Sequence, residues 1–209
     1  MTRRTLVFDL GGVVVRWQPL ELVRRWLPRA AHDDASAKAV ASALFQSLAP
    51  GDDWAEYDRG RIEPDALAAR IAARTGLPES TLRALIAAVP EHIQPMPDSL
   101  ALLDKLRAGG HRLTLLSNMP RPNAAYLEAK HACFAWFEAK VYSGHVGLMK
   151  PERAMFDHAR DAFALDLEQS LFIDDHPANV DAARGLGWQA LRFESAAQCE
   201  AELRRDGWL

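Results

Sequence analysis

Thr5-Leu6-Val7-Phe8-Asp9-Leu10-Gly11-Gly12 is the stretch that decides the fold of this 209-residue chain. Its first four residues are apolar or β-branched, which predicts a short buried strand. Asp9 follows that strand directly, and the glycines after it permit a tight turn. The stretch therefore predicts a strand that delivers a carboxylate to a turn, where chemistry can take place.

Apolar runs of the same kind recur along the chain. We expect further strands at residues 112–118, 139–143, 170–175 and 189–193, and four of the five strands end in polar residues. Helical patterns separate them, at residues 98–108, 121–130, 151–163 and 177–186. Because strands and helices alternate, the sequence predicts a parallel sheet.

Residues from about 19 to 95 break this alternation. They are rich in Ala, Leu and Arg at helical spacing, and they contain no convincing strand. Pro95-Met96-Pro97 then ends the helices, because proline disfavours helix at the residue before it. We therefore predict an α/β fold with a Rossmann-like parallel core, residues 1–16 and 96–209, and an inserted helical segment, residues 17–95.

Composition and charge exclude several classes of protein. Apolar residues make up 49% of the chain and the formal net charge is −3, so the chain is an ordinary globular protein without the basic excess of a nucleic-acid binder. The apolar stretch at the N-terminus is too short and too polar for a signal peptide or a membrane span. Cys133 and Cys199 lack metal-ligand spacing, which predicts packing roles. We expect a cytoplasmic protein that binds neither nucleic acid nor membranes.

Polar side chains at the strand ends form the candidate site. In open parallel sheets, ligands bind in the crevice outside the carboxyl ends of the strands. The residues that the predicted strands bring there are Asp9, Ser117, Lys150, Asp174 and Asp175. Two adjacent carboxylates at a buried strand end repel each other unless a cation compensates their charge.

Four motifs resemble those of the haloacid dehalogenase superfamily and occur in the same order. They are Phe8-Asp9-Leu10-Gly11-Gly12-Val13, Leu116-Ser117-Asn118, Met149-Lys150-Pro151 and Phe172-Ile173-Asp174-Asp175-His176-Pro177-Ala178-Asn179. Each motif alone is common, but the four together at successive strand ends are specific. The chain also resembles the branch that contains bacterial glucose-1-phosphate phosphatases, with their Asp-Leu-Gly start, and the phosphatase-like N-terminal domain of epoxide hydrolases.

The resemblance implies hydrolysis of a small phosphomonoester, such as a sugar phosphate, through an aspartyl-phosphate intermediate. Asp9 would be the nucleophile. Ser117 and Lys150 would be the other catalytic residues, and they would bind the phosphate together with Asn118. The phosphorylated small molecule is the only expected partner, and the protein is expected to be a monomer or a homodimer.

A magnesium ion is the expected cofactor, because hard oxygen ligands are those that Mg²⁺ prefers. The resemblance implies that Asp9, the main-chain carbonyl of Gly11 and the Asp174-Asp175 pair hold the ion. Motif spacing favours Asp175 as the direct ligand. Asp174 would be a second ligand or an orienting partner.

Gly11 departs from the usual pattern of the family, whose phosphatases carry a second Asp at this position as general acid and base. Such assistance is worth on the order of 10²–10⁴ in rate. We therefore expect slow turnover, a preference for good leaving groups, or a proton donor elsewhere, with Asp52, Asp53 and His176 as candidates.

The helical segment matches the cap that selects the substrate in this superfamily. Its residues 51–60 are rich in aromatic and charged groups able to contact a sugar, and the alternative interpretation is a helix with a packed Trp54 and a solvated charged face. Trp17 and Trp26 are interpreted as hinge or core residues.

Two other functions are compatible with the motifs. A 2-haloacid dehalogenase would use Asp9 in the same way without a metal, but the Asp174-Asp175 pair argues against it. A catalytically silent phosphate-binding or interaction protein would have lost its acid at Gly11.

Overall fold

The structure, a computed structural model, describes residues 3–45 and 51–209. Its strands are β1 (Thr5–Phe8), β2 (Val15–Arg16), β3 (Gln94–Pro95), β4 (Arg112–Ser117), β5 (Ala139–Tyr142), β6 (Ser170–Asp174) and β7 (Gln189–Arg192). Its α-helices are α1 (Pro19–Trp26), α2 (Asp34–Phe45), α3 (Asp53–Asp58), α4 (Pro64–Thr75), α5 (Glu79–His92), α6 (Pro97–Ala108), α7 (Arg121–Lys130), α8 (Ser143–Val146), α9 (Arg153–Phe163), α10 (Pro177–Gly185) and α11 (Ala196–Arg205).

Five parallel strands form the central sheet, in the order β5-β4-β1-β6-β7. The strands predicted from the sequence are all present, and each ends within one residue of its predicted end. Together with the flanking helices they confirm the predicted Rossmann-like α/β class. The chain adds β4 and β5 on one side of β1 and then returns to add β6 and β7 on the other. The carboxyl ends of β1 and β6 therefore lie at the topological switch point, where open α/β sheets bind ligands.

The hydrophobic core has one part on each face of the sheet. Leu6 and Phe8 point to one face, where they belong to the same cluster as Leu115 of β4. Val7 points to the other face and belongs to a cluster with Phe156 and Phe172. This alternation follows from the two-residue period of a strand, and burial on both faces explains why β1 reads as a continuous apolar run.

A two-residue ribbon joins the points where the helical segment leaves and rejoins the sheet. β2 and β3 are antiparallel, with Val15 opposite Pro95 and Arg16 opposite Gln94. The expectation that residues 19–95 contain no strand is therefore wrong at Gln94–Pro95. Two residues are too few to show alternation, and proline is a weak strand signal.

Helices α1 to α5 make up the rest of the described helical segment. Phe45 and Trp54 pack edge to face, with ring centroids 4.6 Å apart, and Trp54 packs on Tyr57 in the same way at 5.7 Å. Cys133 and Cys199 are buried thiols, as a packing role requires. Among the described residues, no helix combines the length and the apolarity needed to cross a membrane.

Candidate active site

The Lys150 side chain joins three strand ends. Its Nζ lies 2.7 Å from Asp9 Oδ1 and 2.7 Å from Asp174 Oδ2, and it donates a hydrogen bond to the Leu116 carbonyl at 2.9 Å. An ammonium group has three donors, so all three are used. Lys150 is only 3% exposed and Asp174 is fully buried.

Asn118 holds the main chain of Lys150 in place. Its Nδ2 donates to the Lys150 carbonyl and its Oδ1 accepts from the Lys150 N–H, each at 2.9 Å. The Lys150–Pro151 peptide bond is cis. The Asn118 amide thus fixes the point from which the lysine side chain extends toward Asp9.

The two adjacent aspartates have different surroundings. Asp174 accepts hydrogen bonds from the His176 N–H at 2.8 Å and from Asn179 Nδ2 at 3.0 and 3.1 Å, in addition to its ion pair with Lys150. Asp175 instead lines the cavity above the strand ends. Asp174 is therefore occupied by protein partners, whereas Asp175 faces the space that a ligand would enter.

The cluster carries more negative charge than its lysine compensates. Carboxylate oxygens of Asp9, Asp174 and Asp175 lie within 4.8 Å of one another. Burial raises the pKa of Asp9 to about 7, against the opposing effect of Lys150, and the neighbouring carboxylates raise it further. Burial also raises the pKa of Asp175, and Asp174 adds to this shift. A cation with a preference for hard oxygen ligands would relieve this repulsion, so the donor set fits Mg²⁺.

Lys150 remains protonated in this cluster. Burial lowers its pKa, but the charges of Asp174 and Asp9 outweigh that effect, and the net shift is upward. The ammonium is thus a permanent positive charge beside Asp9.

Of the two glycines after Asp9, only Gly12 is constrained. Gly12 has φ +76°, and a Cβ there would overlap the Asp175 carboxylate. Gly11 is outside the left-handed region, and no atom lies within 4 Å of its Cβ position. The turn therefore needs glycine at position 12 and tolerates a side chain at position 11.

A cavity of about 790 Å³ covers the cluster. Its floor consists of polar residues that the sequence singled out, and its opposite wall comes largely from the helical segment. The floor includes Asp9, Gly11, Ser117, Asn118, Lys150, Asp175 and His176. The opposite wall includes Trp17, Phe45, Trp54, Asp58, Val89 and Ile93. Trp17 packs edge to face on Phe45 at 5.1 Å, so its side chain has a packing contact and also borders the cavity.

Only some residues of the stretch 51–60 line the cavity. Trp54 and Asp58 line it, whereas Asp52 and Asp53 do not. Asp53 pairs with Arg74 at 3.2 Å. The stretch predicted from the sequence includes Asp58, but the sequence did not distinguish it from Asp52 and Asp53, because its burial depends on contacts with distant parts of the chain.

The Asp9 carboxylate at the end of the central strand, with Lys150 and two further aspartates beside it, places the chain among the Rossmann-like α/β hydrolases. The family model of the haloacid dehalogenase-like hydrolases matches residues 3–187, and the chain belongs to that family.

Among curated proteins, the chain is similar to a sesquiterpene phosphatase of Aspergillus oryzae. The two are 26% identical over 205 residues, which cover 98% of this chain and 96% of the relative.

Solved structures of the same fold include two enzymes with different descriptions. A haloacid dehalogenase family enzyme of Bacteroides thetaiotaomicron, in complex with magnesium and inorganic phosphate, has a TM-score of 0.70 at 20% identity, covering 91% of this chain and 93% of the other. The L-2-haloacid dehalogenase of Xanthobacter autotrophicus has a TM-score of 0.67 at 19% identity, covering 91% and 77%. At these identities the likeness shows the shared fold.

The two glycines give a testable contrast. We expect Gly12→Ala to lower the free energy of unfolding by at least about 1–2 kcal/mol, the usual cost of a left-handed backbone for a residue with a Cβ, because the added methyl also displaces Asp175. The matched variant Gly11→Ala should unfold close to the native protein. Urea unfolding followed by circular dichroism measures both, and equal losses would contradict a turn in which only position 12 requires glycine.

Proposed function

We propose that the chain is a Mg²⁺-dependent phosphohydrolase that hydrolyses a small phosphomonoester through an aspartyl phosphate on Asp9. The observation that carries this proposal is the cluster of three carboxylates around a single ammonium at the sheet's switch point. The similarity to a sesquiterpene phosphatase supports phosphate chemistry. So does the fold shared with an enzyme that binds magnesium and inorganic phosphate.

Asp9 acts as the nucleophile in this proposal, with one oxygen fixed by Lys150. The ammonium lowers the pKa of Asp9 against the effect of burial, and so favours the ionised form. It also offsets the negative charge of the transferring phosphoryl group. Ser117 lines the cavity and donates its hydroxyl to a phosphate oxygen. The Asn118 side chain is already bonded to Lys150, so it contributes to phosphate binding by positioning that lysine.

The metal would be held by Asp9, Asp175 and the Gly11 carbonyl. When bound there, Mg²⁺ supplies charge neutralisation for the phosphate and the nucleophile. Asp174 has an indirect role in this proposal, because its oxygens already accept hydrogen bonds from Lys150, Asn179 and the His176 N–H. It positions Lys150 and supports the metal site by charge.

The organic part of the substrate is apolar in this proposal, in place of the expected sugar. Residues 17–95 act as the cap, and their side of the cavity presents Trp17, Phe45, Trp54 and aliphatic side chains. Sugar recognition requires several hydrogen-bonding groups around the hydroxyls, whereas an aromatic wall favours hydrocarbon. The relative's description as a sesquiterpene phosphatase agrees with this choice.

Two alternatives are weaker. A dehalogenase needs no metal, and it would leave the excess charge of the Asp174-Asp175 pair uncompensated. A silent binding protein would retain the metal and the ligand but would show no turnover.

A substrate panel tests the proposed function. Each buried methylene contributes about 0.8 kcal/mol, so we expect kcat/KM for farnesyl monophosphate to exceed that for glucose 1-phosphate by at least about tenfold. Both activities should disappear in EDTA and return with Mg²⁺. A preference for glucose 1-phosphate would refute the apolar substrate, and turnover unaffected by EDTA would refute the metal.

Measurements of Mg²⁺ binding distinguish the roles of Asp174 and Asp175. We expect Asp175→Asn to weaken Mg²⁺ binding more than Asp174→Asn, because Asp175 faces the cavity. Asp174→Asn should cost more stability, about 1–3 kcal/mol, since it disturbs the hydrogen bonds that the buried Asp174 carboxylate accepts from Lys150, Asn179 and the His176 N–H. Thermal unfolding of both variants across a Mg²⁺ titration gives the two quantities, and the reverse ranking for Mg²⁺ would exchange their roles.

A further inference from the structure

Asp58 is a buried acid in the wall of the active-site cavity. It is the last residue of α3, is 6% exposed, and lines the same cavity as Asp9. Within the described residues, no ion pair and no hydrogen bond engages its carboxyl group, although its main-chain carbonyl is bonded. A buried polar group without a partner is costly, and the open side of this one is the cavity.

The main chain around Asp58 is fixed against the core. Ser143 Oγ donates to the Asp58 carbonyl at 2.6 Å and accepts from the Met119 N–H at 2.8 Å. Met119 is two residues beyond Ser117, so one hydroxyl links Asp58 to the loop that carries a proposed phosphate ligand.

Two glycines bring the backbones into direct contact just beyond this point. A Cβ on Gly60 would lie 2.5 Å from the Gly144 carbonyl oxygen, and a Cβ on Gly144 would lie 2.7 Å from the Arg121 nitrogen. The Arg59 guanidinium also forms a bidentate ion pair with the Glu152 carboxylate. Its Nη1 donates to Oε2 at 3.0 Å, and its Nη2 donates to Oε1. These contacts fix the position of Asp58 relative to the strand ends.

We propose that Asp58 is the general acid and base of the reaction, in place of the side chain that Gly11 lacks; this inference rests on the proposed phosphohydrolase function. Burial raises the pKa of the Asp58 carboxyl well above its ordinary value, which favours the protonated form of the group. A donor in that state is what departure of a poor leaving group requires.

The proton balance closes over two steps. An Asp9 oxygen forms a bond to phosphorus while the bond to the ester oxygen breaks, and the electron pair left on that oxygen takes the Asp58 proton to give the alcohol. A water molecule then attacks phosphorus and gives one proton to the Asp58 carboxylate. The bond from phosphorus to Asp9 breaks, which releases inorganic phosphate and restores both carboxyl groups.

Asp58→Asn and Asp58→Leu test this role, because both keep about the same side-chain volume and neither can donate that proton. The substrates are phosphomonoesters from aryl to alkyl, assayed with Mg²⁺ under single-turnover conditions. We expect losses on the order of 10²–10⁴-fold for alkyl esters, which shrink steadily as the leaving group becomes more acidic. The control Asp65→Asn, at an exposed position on α4, should follow the native dependence.

A second substitution provides a rescue. Position 11 has open space around its Cβ, so Gly11→Asp combined with Asp58→Asn should recover alkyl-ester turnover by at least about tenfold. Circular dichroism and thermal unfolding verify that each variant is folded, and Asp58→Leu replaces Asp58→Asn if the latter is not.

Other outcomes overturn the assignment. A loss of equal size for all esters would mean that Asp58 orients the substrate or shapes the cavity, and no loss would mean that His176 or solvent supplies the proton. Native protein that turns over no ester, aryl esters included, would refute the proposed function itself and the role of Asp58 with it.

Discussion

A single buried ammonium holds the active site together. Lys150 contacts the carboxylates that follow β1 and end β6, and it also bonds to a carbonyl of β4. These three strands are the centre of the sheet, so one charge fixes the relative positions of groups from distant parts of the sequence. In a buried site such an arrangement is stable only with the lysine in place, because removing one partner leaves unpaired charge.

The same interaction explains why the residues of the site fit a further cation. One positive charge cannot balance three carboxylates within 4.8 Å of one another, and burial makes the imbalance more costly than it would be in water. The protein uses hydrogen bonds to satisfy Asp174 and leaves Asp175 toward the cavity. Asp174 is held by the Asn179 side chain and by the main-chain N–H of His176, the residue before α10, and Asp175 accepts neither of these hydrogen bonds.

Much of the fold and of the charged cluster could be predicted from the sequence, because the relevant residues follow short apolar runs directly. Position relative to a strand end is a local property, and Asp9, Ser117, Asp174 and Asp175 all show it. Asn118 is also adjacent to a strand, but its bond to Lys150 spans 32 residues and could not be read from spacing.

Other features depend on long-range contacts that no local pattern records. Asp58 resembles any helical surface acid in the sequence, and only the fold buries it and places it in the cavity wall. The left-handed backbone of Gly12, and not of Gly11, is likewise a property of the folded turn. The aromatic side chains that border the cavity come from helices that meet only in three dimensions, so the sequence could not show that they share one surface.

The most direct test of the account is to trap the covalent intermediate. Native protein mixed with substrate and Mg²⁺ is quenched in acid on the millisecond scale, digested, and analysed by mass spectrometry, with Asp9→Asn as the control. The account predicts a phosphoryl group on the Asp9 carboxylate in the native protein during turnover and none in the variant. A phosphoryl group on another residue, or an Asp9→Asn variant that is folded and still hydrolyses substrate at the native rate, would contradict it.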